Sequence, residues 1–93
     1  MSDRRLKFTN ITSATTTTVK SGIGVLKRIT FNKPVMTSTV TIYNNTAASG
    51  TKIGTITNTT DVKPYFLDFG VFFDTGLTIV TSGADDITVV TAA

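Results

Sequence analysis

Short segments in which apolar and polar residues alternate follow one another along the chain, separated by clusters of Gly, Asn, Asp, Ser and Pro. Alternation with a period of two is typical of strands that bury one face, because successive side chains point to opposite sides of a sheet. The pattern predicts an all-β fold, an antiparallel β-sandwich of about eight strands with jelly-roll or Greek-key topology. The predicted strands cover residues 7–11, 15–20, 25–31, 37–43, 52–57, 65–73, 77–81 and 87–91.

The third predicted strand, 25–31, contains an irregularity. Val25, Ile29 and Phe31 share one parity and are expected to face the core, but Lys27 has the same parity. Either the lysine extends its ammonium group to solvent from the end of the strand, or a β-bulge interrupts the alternation at this point.

The sixth predicted strand, 65–73, is the most apolar segment and carries aromatic residues on both parities. Gly70 within it predicts a bend or a bulge. A strand that is apolar on both sides is typically covered on both sides. We therefore expect a neighbouring subunit to contact this strand, with Phe66, Phe72 and Phe73 as the interface residues.

The length of 93 residues predicts one domain with a modest core. Residues 13–93 form the sandwich, and residues 1–12 form either an N-terminal arm or the first edge strand. The chain contains no cysteine, so no disulfide reinforces the fold. Self-association or docking onto a larger body is the expected source of additional stability.

The chain carries a net charge of +3, but its basic residues are scattered except for Arg4, Arg5 and Lys7. Nucleic-acid-binding proteins concentrate positive charge along one face, so we expect no nucleic-acid partner. No apolar stretch approaches the roughly 20 residues that a membrane span requires. No apolar segment typical of a secretory signal follows the basic N-terminus, which favours synthesis in a cytoplasm without export.

Catalytic chemistry has little support in the composition. Histidine and cysteine are both absent, which removes Ser–His and Cys–His nucleophiles and the usual transition-metal ligands. The adjacent carboxylates Asp85 and Asp86 would point to opposite faces of a strand, and between Gly83 and Ile87 they are typical of a turn. The sequence predicts no enzyme, no cofactor and no metal site.

Several strand and turn signatures resemble a known group of proteins. They are Gly-Ile-Gly-Val-Leu-Lys-Arg-Ile-Thr-Phe at 22–31, Val-Thr-Ile-Tyr-Asn-Asn at 40–45, Ser-Gly-Thr-Lys-Ile at 49–53, Thr-Gly-Leu-Thr-Ile-Val at 75–80 and Asp-Ile-Thr-Val-Val at 86–90. In this combination the chain resembles small β-sandwich virion proteins of tailed phages, of the capsid decoration or cement type. The similarity extends from about residue 13 to residue 90.

The resemblance implies a non-enzymatic virion protein, a capsid decoration protein that is made in the host cytoplasm and stabilises the phage head. Its implied partner is the major capsid protein or another virion protein. It would form a homo-oligomer, with a trimer favoured, at threefold positions of the shell. Arg4, Arg5 and Lys7 would reach toward the capsid, and deletion of residues 1–12 should weaken that contact without unfolding the domain.

Two further functions remain as alternatives. A carbohydrate- or receptor-binding module of a phage tail or fibre would need an exposed aromatic platform, for which Tyr43 and Tyr65 are the available tyrosines. The 21 threonines include alternating sets such as those at 55, 57 and 59, and regular threonine arrays occur in ice-binding proteins. Solvent-facing positions of an antiparallel sheet are the more common reason for alternating threonine.

Overall fold

The computed structural model describes residues 6–60 and 63–92, and within them eight strands form two antiparallel sheets. Each of the eight predicted strands is confirmed, with ends that differ by at most two residues. The strands are β1 (Lys7–Ile11), β2 (Thr16–Ser21), β3 (Gly24–Lys33), β4 (Thr39–Asn44), β5 (Thr51–Thr57), β6 (Tyr65–Phe73), β7 (Gly76–Thr81) and β8 (Asp86–Ala92). The all-β fold class is therefore confirmed.

The strand order distinguishes between the two topologies that the sequence left open. Sheet A has the order β1-β8-β3-β6, and sheet B has the order β2-β7-β4-β5. The pairs β1·β8, β2·β7, β3·β6 and β4·β5 are nested, as in one long hairpin that closes between β4 and β5. Rolling up that hairpin brings β8 beside β3 and β7 beside β4. This arrangement is a jelly roll.

The core lies between the two sheets and is built from the alternate residues that face inward on each strand. Branched aliphatic residues supply most of it, because they pack well on a pleated surface. Phe31 also lies fully buried, and the Tyr65 ring stacks on it with the ring centroids 4.5 Å apart. The buried apolar residues are Ile11, Leu26, Ile29, Phe31, Val40, Ile42, Phe73, Leu77, Ile79, Ile87 and Val89.

A β-bulge in β3 confirms one of the two explanations offered for Lys27. The register of β3 shifts between Leu26 and Arg28 against both β6 and β8. The extra residue changes which parity faces inward, so that Leu26 is buried on one side of the bulge and Ile29 on the other. The expectation that Val25 faces the core with Ile29 was therefore wrong, because it assumed an uninterrupted strand.

The segment 1–12, for which an arm or an edge strand was left open, contains β1. This strand pairs with β8 along its whole length, from Lys7 opposite Thr91 to Ile11 opposite Ile87. Ile11 is buried in the core. Deletion of residues 1–12 would remove a paired strand and a core side chain. We therefore expect this deletion to destabilise the domain instead of leaving it intact.

Candidate functional site

The two outer faces of the sandwich differ in chemistry. On sheet B the outward positions of β4 and β5 include four threonines, with Thr39 opposite Thr57 and Thr41 opposite Thr55, while Tyr43 lies opposite Lys52. Thr55 and Thr57 are exposed. These four residues take the solvent-facing positions expected for alternating threonine, whereas Thr37 and Thr59 lie outside the strands. Sheet B therefore presents a hydroxyl-bearing surface.

Sheet A presents aromatic rings on its outer face. Phe8 of β1 is 75% exposed, and Phe66 and Phe72 of β6 are 53% and 58% exposed. The rings lie at the two edges of the sheet, since β1 and β6 are its edge strands. Leu6, immediately before β1, is also exposed. We call this surface, defined by Leu6, Phe8, Phe66 and Phe72, the aromatic face.

The register shows what lies between these rings. Phe8 is opposite Val90, Val90 is opposite Arg28, and Arg28 is opposite Asp68, so one row crosses the sheet from β1 to β6. At one end of the sheet, Val25 lies beside Phe72. The next outward row runs from Phe66 across Thr30 and Thr88 to Asn10. The aromatic face thus has exposed rings at its edges, with polar residues and a charged pair between them.

Arg28 and Asp68 form an ion pair, in which Arg28 Nε donates to Asp68 Oδ1 over 2.5 Å and Nη2 donates to Oδ2 over 3.2 Å. The guanidinium carbon also lies 4.2 Å from the centre of the Phe66 ring, a cation–π arrangement. The hydrogen bond from Arg28 holds the pKa of Asp68 below its ordinary value. Both side chains are exposed, so the pair adds little to stability and chiefly fixes the position of the guanidinium group.

An open pocket of about 520 Å³ lies in the middle of the aromatic face, at the β3 bulge. Gly70 at its rim has φ +62°, a backbone conformation that glycine adopts without strain and other residues avoid. The residues that line the pocket are Leu6, Lys27, Arg28, Asp68, Phe69, Gly70 and Val90.

The residues predicted as interface contacts in β6 do not lie together. Phe66 and Phe72 belong to the aromatic face, but Phe73 is fully buried inside the protomer. Successive side chains of a strand point to opposite sides, so Phe72 and Phe73 cannot share one surface. Phe73 is therefore a core residue rather than an interface residue.

The basic N-terminal residues are only partly described. Lys7 begins β1, where it is exposed and lines a second pocket of about 350 Å³ together with Phe8 and Lys20. Arg4 and Arg5 lie outside the described residues. Because Leu6 lines the pocket of the aromatic face, the chain enters the fold at the edge of that face.

The adjacent carboxylates point to different partners, as expected of neighbouring residues in extended chain. Asp86 accepts hydrogen bonds from the side-chain amides of Asn10 and Asn32 over 2.7 and 3.3 Å. Asp85 is fully buried and accepts hydrogen bonds from the Ser38 hydroxyl over 2.6 Å and from the Val35 amide. The two carboxylates therefore form no shared site.

Asp85 belongs to a buried polar network that joins three connections at one end of the sandwich. The Asn58 side-chain amide donates to the Ser38 hydroxyl over 3.0 Å, and the Tyr65 hydroxyl donates to Asn58 Oδ1 over 2.5 Å. Burial, followed by the charge of Asp85, raises the pKa of Tyr65. Among the described residues, no buried side-chain polar atom lacks a hydrogen bond. The network is thus a closed structural element.

The tyrosine platform expected of a carbohydrate-binding module is not formed. Tyr65 stacks on Phe31 of the core and lies in sheet A, whereas Tyr43 is half-buried in β4 of sheet B. In the described part of the chain, no group of three or more acidic, histidine or cysteine residues could hold a metal ion. Residues 6–60 and 63–92 also contain no helix long and apolar enough to cross a membrane.

Sequence reasoning missed Phe8, the most exposed aromatic residue of the face. The signal was available in β1, where Phe8 has the opposite parity to Ile11, so that one of the two had to face outward. The pocket gave no such signal, because it depends on the local path of the bulged strand.

Comparison with known proteins shows the fold. No protein-family model matches the sequence, and no curated protein matches it. Among solved structures, the chain is similar to a protein of Bacillus endospore appendages, described as a novel family of disulfide-linked pili, with a TM-score of 0.58 and 17% identity over 94% of this chain and 82% of that one. A protein of infectious bursal disease virus strain Gx matches 94% of this chain and 28% of its own, with a TM-score of 0.35 and 16% identity. The appendage protein therefore shares the sandwich fold.

Proposed function

We propose that this protein is a non-enzymatic structural component of a virion, a capsid decoration protein that stabilises the head of a tailed phage. The observation that carries the proposal is the aromatic face. Three phenylalanines, each more than half exposed, lie on one side of a small domain whose other side carries several threonines. Several large exposed apolar side chains on one face of a small protein are typical of a surface that contacts another protein.

The exposed aromatic area supplies part of what a docking surface needs. A buried Phe covers about 150–250 Å², so the three rings expose on the order of 300–400 Å² between them. That value is within the range of functional patches on monomers. Leu6 and the half-buried Val25 and Val90 add to it. An interface of the standard size, roughly 800 Å² per partner, would also bury polar residues of the face.

The occupant we propose is a subunit of the capsid, and Phe66 and Phe72 are the interface residues that contact it. We propose that Arg4, Arg5 and Lys7 also contact the capsid subunit. Lys7 lies next to Phe8 of the aromatic face in β1. The chain carries a net charge of +3, which favours an acidic partner. Several copies bound to one particle would convert weak contacts into firm attachment.

The fold agrees with a role in a repeating assembly. The endospore appendage protein that shares it comes from structures described as pili, although a fold alone does not assign a function. The present chain has no cysteine, so its assembly would rest on non-covalent contacts. A trimer at threefold positions, synthesised in the host cytoplasm, completes the proposal.

The test is cosedimentation of the purified protein with capsids that are encoded alongside it and assembled in its absence. Wild-type protein should pellet with the capsids and saturate, whereas Phe66→Ser and Phe72→Ser should bind at least tenfold more weakly. Met36→Ser is the matched control, because Met36 is 53% exposed but lies outside strands of either sheet. Equal binding by the phenylalanine variants would refute attachment through the aromatic face.

A further inference from the structure

The bulge in β3 places two consecutive basic residues in one pocket. Neighbouring residues of a regular strand point to opposite faces. In a β3 strand without the bulge, either Lys27 or Arg28 would therefore face the core. Because the register shifts between Leu26 and Arg28, Lys27 and Arg28 are instead both exposed and both line the pocket of the aromatic face. Bulges often redirect side chains in this way next to functional sites.

The pocket carries an excess of positive charge. Its ionisable side chains are Lys27, Arg28 and Asp68, two cations and one anion. The one ion pair among the described residues joins Arg28 to Asp68, so Lys27 is not part of an ion pair there. Lys27 is near enough to Asp68 to lower the pKa of its carboxyl group. A ligand that brings one negative charge would balance the pocket.

Arg28 is held in place before any ligand arrives. Its bonds to Asp68 use Nε and Nη2, and the Phe66 ring supports one face of the guanidinium group. The second terminal nitrogen, Nη1, takes no part in these bonds, so its two N–H groups and the second N–H of Nη2 remain able to donate to a ligand. A guanidinium group fixed in this way loses little conformational freedom when it binds a carboxylate.

The uncharged residues that line the pocket determine which groups can flank the negative charge of a ligand. Leu6, Phe69 and Val90 give the pocket apolar walls, and Gly70 leaves open space where any other residue would place a Cβ atom. The seven lining residues include no Ser, Thr, Asn, Gln or Tyr, the neutral side chains that usually orient polar ligands such as sugars. An acidic side chain with apolar neighbours fits this lining better than an acidic sugar does.

We propose that this pocket binds a glutamate or aspartate side chain of a protein partner, flanked by apolar residues that contact Leu6, Phe69 and Val90. Lys27 and Arg28 Nη1 bind the carboxylate, and Asp68 excludes partners that present two adjacent acids. The proposal deepens the proposed function and rests on it, since it specifies the capsid surface that the aromatic face would meet.

The test is a titration of the ¹⁵N-labelled protein, observed by NMR, with the peptide acetyl-Leu-Glu-Leu-amide. Amide signals of residues 27, 28, 70 and 90 should shift and saturate, while those of β5 should not move. The analogue acetyl-Leu-Gln-Leu-amide should bind about three- to fivefold more weakly, the effect of one exposed ion pair. Lys27→Gln should reduce the affinity for the glutamate peptide to the same extent, whereas the control Lys52→Gln in β5 should leave it unchanged.

Equal affinity for the two peptides, or shifts spread over both sheets, would overturn the pocket proposal. A third titration, with methyl glucuronide, would overturn it too if that acidic sugar bound more tightly than the glutamate peptide. This experiment needs no capsid, so its outcome is separate from the cosedimentation test. Loss of capsid binding in Phe72→Ser together with unchanged binding in Lys27→Gln would refute the pocket while leaving the proposed function intact.

Discussion

At the scale of single residues, the network around Asp85 shows how a small β-sandwich fixes its loops without disulfides. One buried carboxylate accepts hydrogen bonds from the connection between β3 and β4, through the Val35 amide and the Ser38 hydroxyl. Asn58 and Tyr65 extend the network to the start of β6. Buried polar groups stabilise a fold only when each is satisfied, so the members of this network depend on one another.

Asp85→Ala should therefore lower the free energy of unfolding by about 2–4 kcal/mol, because it leaves buried donors without an acceptor. Urea denaturation followed by circular dichroism measures the change. Asp86→Ala provides the control, since the Asp86 hydrogen bonds are on the exposed side, and it should cost less than 1 kcal/mol. Similar effects for both variants would show that the network does not carry the stability assigned to it.

From the raised pKa of Tyr65 we predict that the folded protein loses stability at alkaline pH. The pKa of this tyrosine in the folded state is raised above the ordinary value of 10.0, first by burial and then by the charge of Asp85. The folded protein thus binds the phenolic proton more tightly than the unfolded chain does, and this contribution is complete below pH 10.0 and lost as the pH rises through the folded-state pKa. Tyr65→Phe should flatten the decline of stability above pH 10.0, as measured by urea unfolding. If the free energy of unfolding declined equally steeply with pH in Tyr65→Phe and in the wild type, a raised pKa of Tyr65 would be contradicted.

At the scale of elements, the period-two pattern located all eight strands, because each strand buries one face and sets its own alternation. The pattern failed locally where that alternation is interrupted. Around Lys27 it correctly predicted a possible bulge but assigned Val25 instead of Leu26 to the core. Phe66 and Phe72 were expected at an interface because β6 is apolar on both sides, and Phe73 was grouped with them although its parity is opposite to that of Phe72. The pocket near them depends on the bulge geometry and on pairing between distant strands, which the alternation pattern does not reveal.

The strand β1 leads to a prediction about truncation. Removal of residues 1–5 should leave thermal unfolding within a few degrees of the full chain, because β1 begins at Lys7. Removal of residues 1–12 deletes β1, which pairs with β8, and with it the buried Ile11 side chain. Loss of a core Ile side chain alone costs about 2–5 kcal/mol, so this variant should melt far lower or fail to fold. Thermal denaturation of both truncations distinguishes the roles of the two segments, and equal melting temperatures would contradict the role given to β1.

At the scale of the whole molecule, the contrast between the two outer faces is the feature that suggests assembly. The sandwich measures about 37 × 29 × 17 Å, so each face is a large share of its surface. One face bears threonine and the other bears phenylalanine around a basic pocket. A domain with such asymmetry is suited to lie on a larger body with one side covered and the other exposed to solvent.

Association of the free protein is a separate prediction at this scale. The protomer has a mass of 9.9 kDa, and the trimer proposed for threefold positions should give about three times that mass in multi-angle light scattering. Dilution to micromolar concentration should not change the mass if the trimer forms before attachment. A monomeric mass at all concentrations would refute the prediction that the trimer forms before attachment.

The orientation of the protein on its particle shows whether the aromatic face is the attachment surface. Cryo-electron microscopy of virions encoded alongside this chain, at a resolution that separates the two sheets, would show which face lies against the shell. We predict that sheet A faces a capsid subunit, with Phe66 and Phe72 buried in the contact and the threonines of sheet B exposed to solvent. Sheet B against the shell, or absence of the protein from the particle, would contradict it.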